Sequence, residues 1–294
     1  MPVAEVVLCV ANAVYGTSYA ATRLTLDHVP PAALVWLRLL VGSAVLVPMV
    51  WLGGRPRRLS LADHSRVFWM GLLGFGAAFA FAHWGIERST ATNAALLITV
   101  EPLTMILLSP LVLGERLSRR EGVGAALALL GATLVVVNGI PGVTRELVPH
   151  WRGDALLVLS GAAYAAYSLI GRDVLARHPA MLVTAWSIVW ALLAMLPLAA
   201  WEWAQGRRPE LATVGVVGVL YLGLVITALG YLVWNWALER VPAPRVAIFV
   251  NLQPLVGALL GALWLGEPLT VFTAVGGTLI LGGLWLTVNS RPSR

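Results

Sequence analysis

The sequence contains no lysine; all 20 of its basic residues are arginine. A P-loop needs a lysine on the phosphates, and imine chemistry needs a lysine amine. A pump with its own ATP motor and a Schiff-base enzyme are therefore both excluded. One cysteine, Cys9, excludes an intrachain disulfide. No His/Cys pair has metal-ligand spacing and no Gly-x-Ser-x-Gly occurs, so neither a metal, a cofactor nor a catalytic nucleophile is expected. Charged residues make up 12% of the 294, about half the roughly 25% of a soluble domain.

What replaces charge is apolar surface. Hydrophobic residues are 59% of the chain and the mean hydropathy is +0.83, so this surface cannot be kept in water and a soluble enzyme is excluded. The net charge of +6 and pI near 10.2 would suggest nucleic acid in a soluble protein. Here the arginines fill short gaps between apolar runs, which is the pattern of membrane topology, and no nucleic-acid partner is expected.

A bilayer-crossing helix takes about 20 apolar residues. Runs of that length fall at about 3–22, 32–52, 67–86, 91–113, 121–138, 154–171, 180–200, 212–234, 244–265 and 270–289. The first is long enough to span and reads as a retained helix rather than a signal peptide. Glu87-Arg88 and Glu239-Arg240 mark the two weakest separations, and the longest gap runs from about Gly139 to Gly153. With the N-terminus cytoplasmic, 13 arginines fall on the cytoplasmic side and 6 opposite, which favours both termini inside. Trp51, Trp69, Trp84, Trp151, Trp201, Trp203, Trp234 and Trp264 stand near span ends, where interfacial aromatic belts form.

The chain also repeats itself. A shift of 152 residues places Gly71 on Gly223, Trp84 on Trp236, Glu87-Arg88 on Glu239-Arg240 and Pro102-Leu103 on Pro254-Leu255. It also places Leu113-Gly114-Glu115 on Leu265-Gly266-Glu267, Gly124 on Gly276 and Gly131 on Gly283. Each half holds five runs, so the second copy enters the membrane upside down. The expected fold is all-α integral membrane, ten transmembrane helices as two inverted five-helix repeats, residues 1–146 and 147–294. Such a pair forms a cavity near the midplane, exposed to either side by rocking.

Leu113-Gly114-Glu115 and Leu265-Gly266-Glu267 each follow Glu101-Pro102 or Gln253-Pro254 by about a dozen residues. With Tyr15-Gly16 in the first run and Arg38 in the second, this pattern resembles the drug/metabolite transporter superfamily, EamA type, over nearly the whole chain. The resemblance implies a ten-helix carrier, mostly exporting amino acids or other metabolites. Within the family the aromatic-rich runs are similar to those of bacterial aromatic-amino-acid exporters. Gln253 departs from the glutamate frequent at that position.

Ionisable groups inside apolar runs are costly and become functional candidates. Glu101 couples protons or meets a substrate amine; alternatively it organises the kink at Pro102, which lacks an N–H. Arg38 offers a bidentate fork to a carboxylate, or snorkels to the interface or pairs with an acid. His83 shares a face with Phe75 and Phe79, as a cavity-wall residue or a packing one. Trp84 beside it contacts substrate or anchors at the interface. Asn12, Tyr15 and Tyr19 share one face of the first run, and Ser160, Tyr164, Tyr167 and Ser168 one face of the sixth. Hydroxyls and polar-tipped aromatics point to the bundle interior, touching substrate or neighbouring helices. Trp186 and Trp190 form an aromatic wall or a lipid-facing stripe.

Glu115 and Glu267 end helices where the dipole disfavours a negative charge. Both read as structural clasps on the free N–H groups of the span that follows each. Gly257 and Gly261 form a close-packing pair on the ninth run. The fifth and tenth runs carry few polar groups and read as peripheral, supporting the cavity or forming a dimer face.

These readings converge on a secondary, ATP-independent inner-membrane transporter. It exports aromatic and other neutral amino acids by alternating access, as a monomer or homodimer. The rivals are export of other metabolites or drugs such as purines and cationic drugs, a membrane-embedded lipid enzyme, and a channel or adaptor.

Overall fold

The computed structural model describes residues 3–53, 59–98, 101, 104, 119–138, 150–238, 249 and 252–288. No strand occurs among them. The elements are α1 (Val3–Leu26), α2 (Pro31–Leu52) and α3 (Leu61–Met70), which runs through a π-helical segment, Gly71–Ala77, into α4 (Ala78–Arg88). Then come α5 (Ala91–Leu97), α6 (Arg119–Asn138), α7 (Trp151–Leu175) and α8 (Ala180–Ala204). α9 (Thr213–Leu220) runs through a second π-helical segment, Tyr221–Leu229, into α10 (Gly230–Leu238), and α11 (Leu252–Leu263) and α12 (Val271–Val288) close the order.

Five stretches are long and apolar enough to cross a bilayer: Pro31–Leu52, Leu61–Arg88, Trp151–Leu175, Ala180–Ala204 and Thr213–Val233. Leu252–Leu263 and Val271–Leu286 are shorter apolar helices. Of the fourth run, Ala91–Leu97 is described as a helix; Pro102, Glu115 and the 139–149 segment lie outside the described residues, as does the side chain of Trp234.

Helix starts follow local chemistry. The Ser60 hydroxyl accepts the Asp63 N–H, capping α3 at a polar turn that precedes the apolar run expected from 67. Pro31 occupies the first turn of α2, where its missing N–H costs nothing. Thr90 caps α5 by accepting the Asn93 N–H.

Contacts between helix ends define two ends of the bundle. At one, the Ser89 hydroxyl and Asn93 Nδ2 (3.1 Å) donate to Asp154 at the start of α7, and Glu202 near the end of α8 meets the start of α2. At the other, Asp63 at the start of α3 meets Arg177 (2.7 Å) and His178 (3.0 Å) between α7 and α8. α3–α4 therefore rises from the second end to the first, and α7 runs back. Preceding α9 at the first end, the Glu210 N–H donates to His28 O at 2.9 Å.

Packing pairs α2 with α8, α4 with α7, α1 with α11 and α6 with α12. The largest core lies between α2, α3–α4, α7 and α8, around Leu39, Phe75, Tyr167 and Ile188. α6 and α12 meet through their glycines, with Gly131 against the Gly276 backbone and Gly283 against that of Gly124. Small residues permit that approach.

Candidate functional site

Five helices bring rings and one cation together at the middle of the bundle. The Phe75 ring packs edge-on against Phe79 (5.6 Å between centroids), Tyr167 (5.4 Å) and Tyr231 (5.5 Å). Tyr164 lies 5.1 Å from Tyr167, and its hydroxyl is 3.1 Å from that of Tyr231. Edge-to-face pairs of this kind set ring orientation as well as burying area.

Both π-helical segments contribute to this cluster, and such segments concentrate at functional sites. Phe75 lies in the first and Thr227 in the second. Two glycines on the helices that carry them admit tyrosines from the facing helices. A Cβ on Gly74 would meet the Tyr167 ring at 2.5 Å, and one on Gly230 would collide with the Tyr15 hydroxyl.

Arg38, 8% exposed, enters from α2. Its guanidinium carbon stands 4.2 Å from the Phe79 centroid, a cation–π contact. Its Nε–H donates to Thr227 Oγ1 at 3.0 Å, and that hydroxyl donates to Leu222 O at 2.8 Å. Among the described residues Arg38 has no carboxylate partner. Tyr15, Tyr19, Tyr164 and Tyr231 lie within its electrostatic reach. Glu101 is hydrogen-bonded by Ser168 and acts electrostatically on Tyr19, Tyr164 and Tyr167. Tyr19 and Tyr164 therefore feel the cation and the carboxyl group together.

The remaining candidates sit around this centre. His83 is buried, stacked on Phe79 at 14° between planes, with Nδ1 3.4 Å from Pro31 O. Ser160 donates to Ala78 O at 2.8 Å, joining α7 to α4. Asn12 donates to Leu8 O and accepts from Gln253 Nε2, each at 2.8 Å. Trp84 donates through Nε1 to Glu202 Oε1 at 3.4 Å, toward the first end. Trp186 lies toward the second end beside His64, 6.2 Å between rings, and Trp190 packs on Phe68. Both pack against the core that holds Phe75 and Tyr167, and among the described ring contacts neither touches a ring of the central cluster.

Tyr231 and Thr227 are central residues that the reading of spans passed over. The repeat carried the signal: the 152-residue shift maps Phe79 onto Tyr231 and Phe75 onto Thr227. Glu202, 1% exposed, was also passed over because it falls in an interfacial Trp-Glu-Trp segment. Its Oε2 accepts the N–H groups of Ala32 (3.0 Å) and Ala33 (3.1 Å). Glu267 is a clasp with a different partner from the one expected. It does not hold the span that follows it; it accepts the Ala91 N–H (2.7 Å), the Thr92 N–H (2.8 Å) and the Thr92 hydroxyl (2.7 Å) at the start of α5. Glu115 lies outside the described residues.

The described residues form a helical bundle with a buried polar-aromatic centre and five stretches apolar enough to cross a bilayer, the class of a multi-pass membrane protein. Comparison with known proteins agrees. The EamA-like transporter family matches the chain twice, over residues 3–137 and 151–289, and the chain belongs to that family. It is 30% identical over 281 residues to a Streptantibioticus cattleyicolor protein named "Probable terminal-alkyne amino-acid exporter", covering 94% of this chain and 90% of that one. It is 29% identical over 290 residues to a Salmonella typhimurium protein named "Probable amino-acid metabolite efflux pump", covering 94% and 91%. An uncharacterized transporter of Archaeoglobus fulgidus is 27% identical over 286 residues, covering 97% and 99%. A solved crystal structure superposes with a TM-score of 0.64 over 97% of this chain and 98% of its own, at 22% identity, a likeness of fold.

Proposed function

We propose that this transporter exports amino acids, aromatic and other neutral ones, across the bacterial inner membrane by alternating access and without ATP. The observation that carries this reading is Arg38. A cation within a membrane bundle costs about 3 kcal/mol or more unless it is compensated. Among the described residues, Arg38 has one hydrogen-bond acceptor and no acid. A substrate carboxylate supplies the missing charge through the guanidinium fork. Glu101, which like Arg38 acts electrostatically on Tyr19 and Tyr164, meets the ammonium group of the same zwitterion, and the rings of Phe75, Phe79 and Tyr231 receive its side chain.

The proposed frame is ten spans in two inverted fives, residues 1–146 and 147–294, with both termini cytoplasmic. The 152-residue repeat and the π-helical segments at matching places, Gly71–Ala77 and Tyr221–Leu229, support the inversion. The excess of arginine, 13 against 6, supports the orientation. The names of the two exporter relatives favour amino acids over purines or cationic drugs, as does a buried cation, which would repel a cationic drug.

The test is counterflow in proteoliposomes of the purified protein without ATP, using labelled phenylalanine, tryptophan, leucine and threonine. Accumulation that unlabelled amino acid drives and cationic drugs do not is expected. Absence of flux across the amino-acid panel overturns the substrate reading.

A further inference from the structure

Two carboxylates, both from the second half, hold helix starts of the first half at the same end of the bundle. Glu267 binds the start of α5 through three donors, the N–H of Ala91 and the N–H and hydroxyl of Thr92. Glu202 binds the start of α2 through the N–H groups of Ala32 and Ala33, and also accepts from Trp84. Arg207 Nη1 stands 3.7 Å away from it. The first N–H groups of a helix have no partner within it, and the helix dipole favours a negative charge there. Each contact is therefore a charge-assisted clasp between the halves.

An inverted repeat with identical halves would carry the same clasps at both ends. This one does not. The 152-residue shift that maps Glu115 onto Glu267 maps Ala91-Thr92 onto Ala243-Pro244. Proline has neither an N–H nor a hydroxyl, so two of the three donors have no counterpart. The in-helix prolines Pro48 and Pro197 align α2 with α8. Five residues beyond each, Gly53 stands opposite Glu202, and glycine has no carboxylate to offer. A third type of clasp occurs at both ends: Asp63 with Arg177 and His178 at one, His28 with Glu210 at the other. It joins equivalent corners, with the carboxylate buried at Asp63 and exposed at Glu210, and in neither copy does that carboxylate cap a helix start of the other half.

We propose that Glu202 and Glu267 are the gate residues of the transport cycle, forming a one-sided latch that keeps the carrier closed at this end at rest. The proposal rests on the inverted-repeat reading. With both termini cytoplasmic, the latched end is the outer one. The unloaded carrier then waits open to the cytoplasm, as an exporter must to load, and the outward-facing state requires both clasps to part.

The experiment uses the full chain in sealed vesicles with Cys9→Ser as background. Thr22, buried on α1 one turn beyond Tyr19 toward the latched end, becomes the reporter as Thr22→Cys. An impermeant thiol reagent is applied on the side that labels Leu211→Cys. The latch predicts slow labelling, raised roughly fivefold or more by Glu202→Gln or Glu267→Gln, since losing a cap of this kind is worth on the order of 1 kcal/mol. Pro244→Thr, which supplies the absent donors at the opposite end, also raises it. That variant decides the matter if either glutamine variant fails to elute as a folded species. Fast labelling in the background protein, or no change in the folded variants, overturns the latch. Labelling of Leu61→Cys and Leu211→Cys from the same side instead overturns the inverted repeat itself.

Discussion

The Nε–H of Arg38 on α2 donates to Thr227 Oγ1 in the second π-helical segment, 3.0 Å away, joining the first half of the chain to the second at the centre of the bundle. Thr227 can accept because its own proton goes to Leu222 O, five residues back at 2.8 Å. This fixes the guanidinium edge-first and leaves its terminal nitrogens for a ligand. Thr227→Val keeps the shape and removes the acceptor. It is expected to raise KM for amino acids roughly tenfold, the scale of a hydrogen bond to a charged group, while Thr227→Ser restores wild-type values. Equal KM in Val and Ser variants would show that Thr227 does not position Arg38.

In the proposed site Arg38 selects substrate by charge. Arg38→Met should abolish saturable phenylalanine counterflow while leaving thermal stability within a few degrees, because a buried guanidinium without an acid partner adds little to folding. Retained counterflow with an unchanged KM would move the carboxylate site elsewhere.

Tyr164 touches Tyr231 through a hydroxyl pair and Tyr167 through its ring, and it is partly exposed where Tyr167 is buried. Tyr164→Ala is expected to change substrate affinity, read as KM, more than protein yield. A large fall in yield with unchanged KM identifies it as a packing residue.

Glu101 accepts a hydrogen bond from Ser168. If it carries the coupling proton, Glu101→Gln abolishes the response of flux to an imposed pH gradient and spares exchange between two amino-acid pools. Gradient-driven flux unchanged by the substitution assigns the carboxyl group to the kink before Pro102.

Asp154 is fully buried and holds Ser89 and Asn93 at the α4–α5 corner. Asp154→Ala leaves those donors unpaired and should destabilise the protein by about 2 kcal/mol, measured as a fall in melting temperature. No fall would show that the corner is held by packing alone.

Much of the central site was legible because polar groups stand out in apolar runs. Arg38, Glu101 and the tyrosines of α1 and α7 need only the cost of burial in lipid to be singled out. Depth was harder to read. Helical spacing gives the face of Trp186 but not its height, and it lies by His64 at one end. Tyr231 and Thr227 sit in an apolar helix with no charge to mark them, and only the repeat register points to them. The partner of Glu267 was misassigned because sequence adjacency favoured the next helix, whereas packing brings it to α5. The early start of α3 was missed because its first turn is polar and capped by Ser60 rather than apolar.

The opposed direction of the two halves is most directly tested by the sidedness of two exposed leucines. Leu61 begins the first π-bearing helix and Leu211 precedes the second, and they are 92% and 93% exposed. As cysteines in a Cys9→Ser background, Leu61→Cys should react with an impermeant reagent only from the cytoplasmic side and Leu211→Cys only from the outer side. Reaction of both from one side would contradict the account.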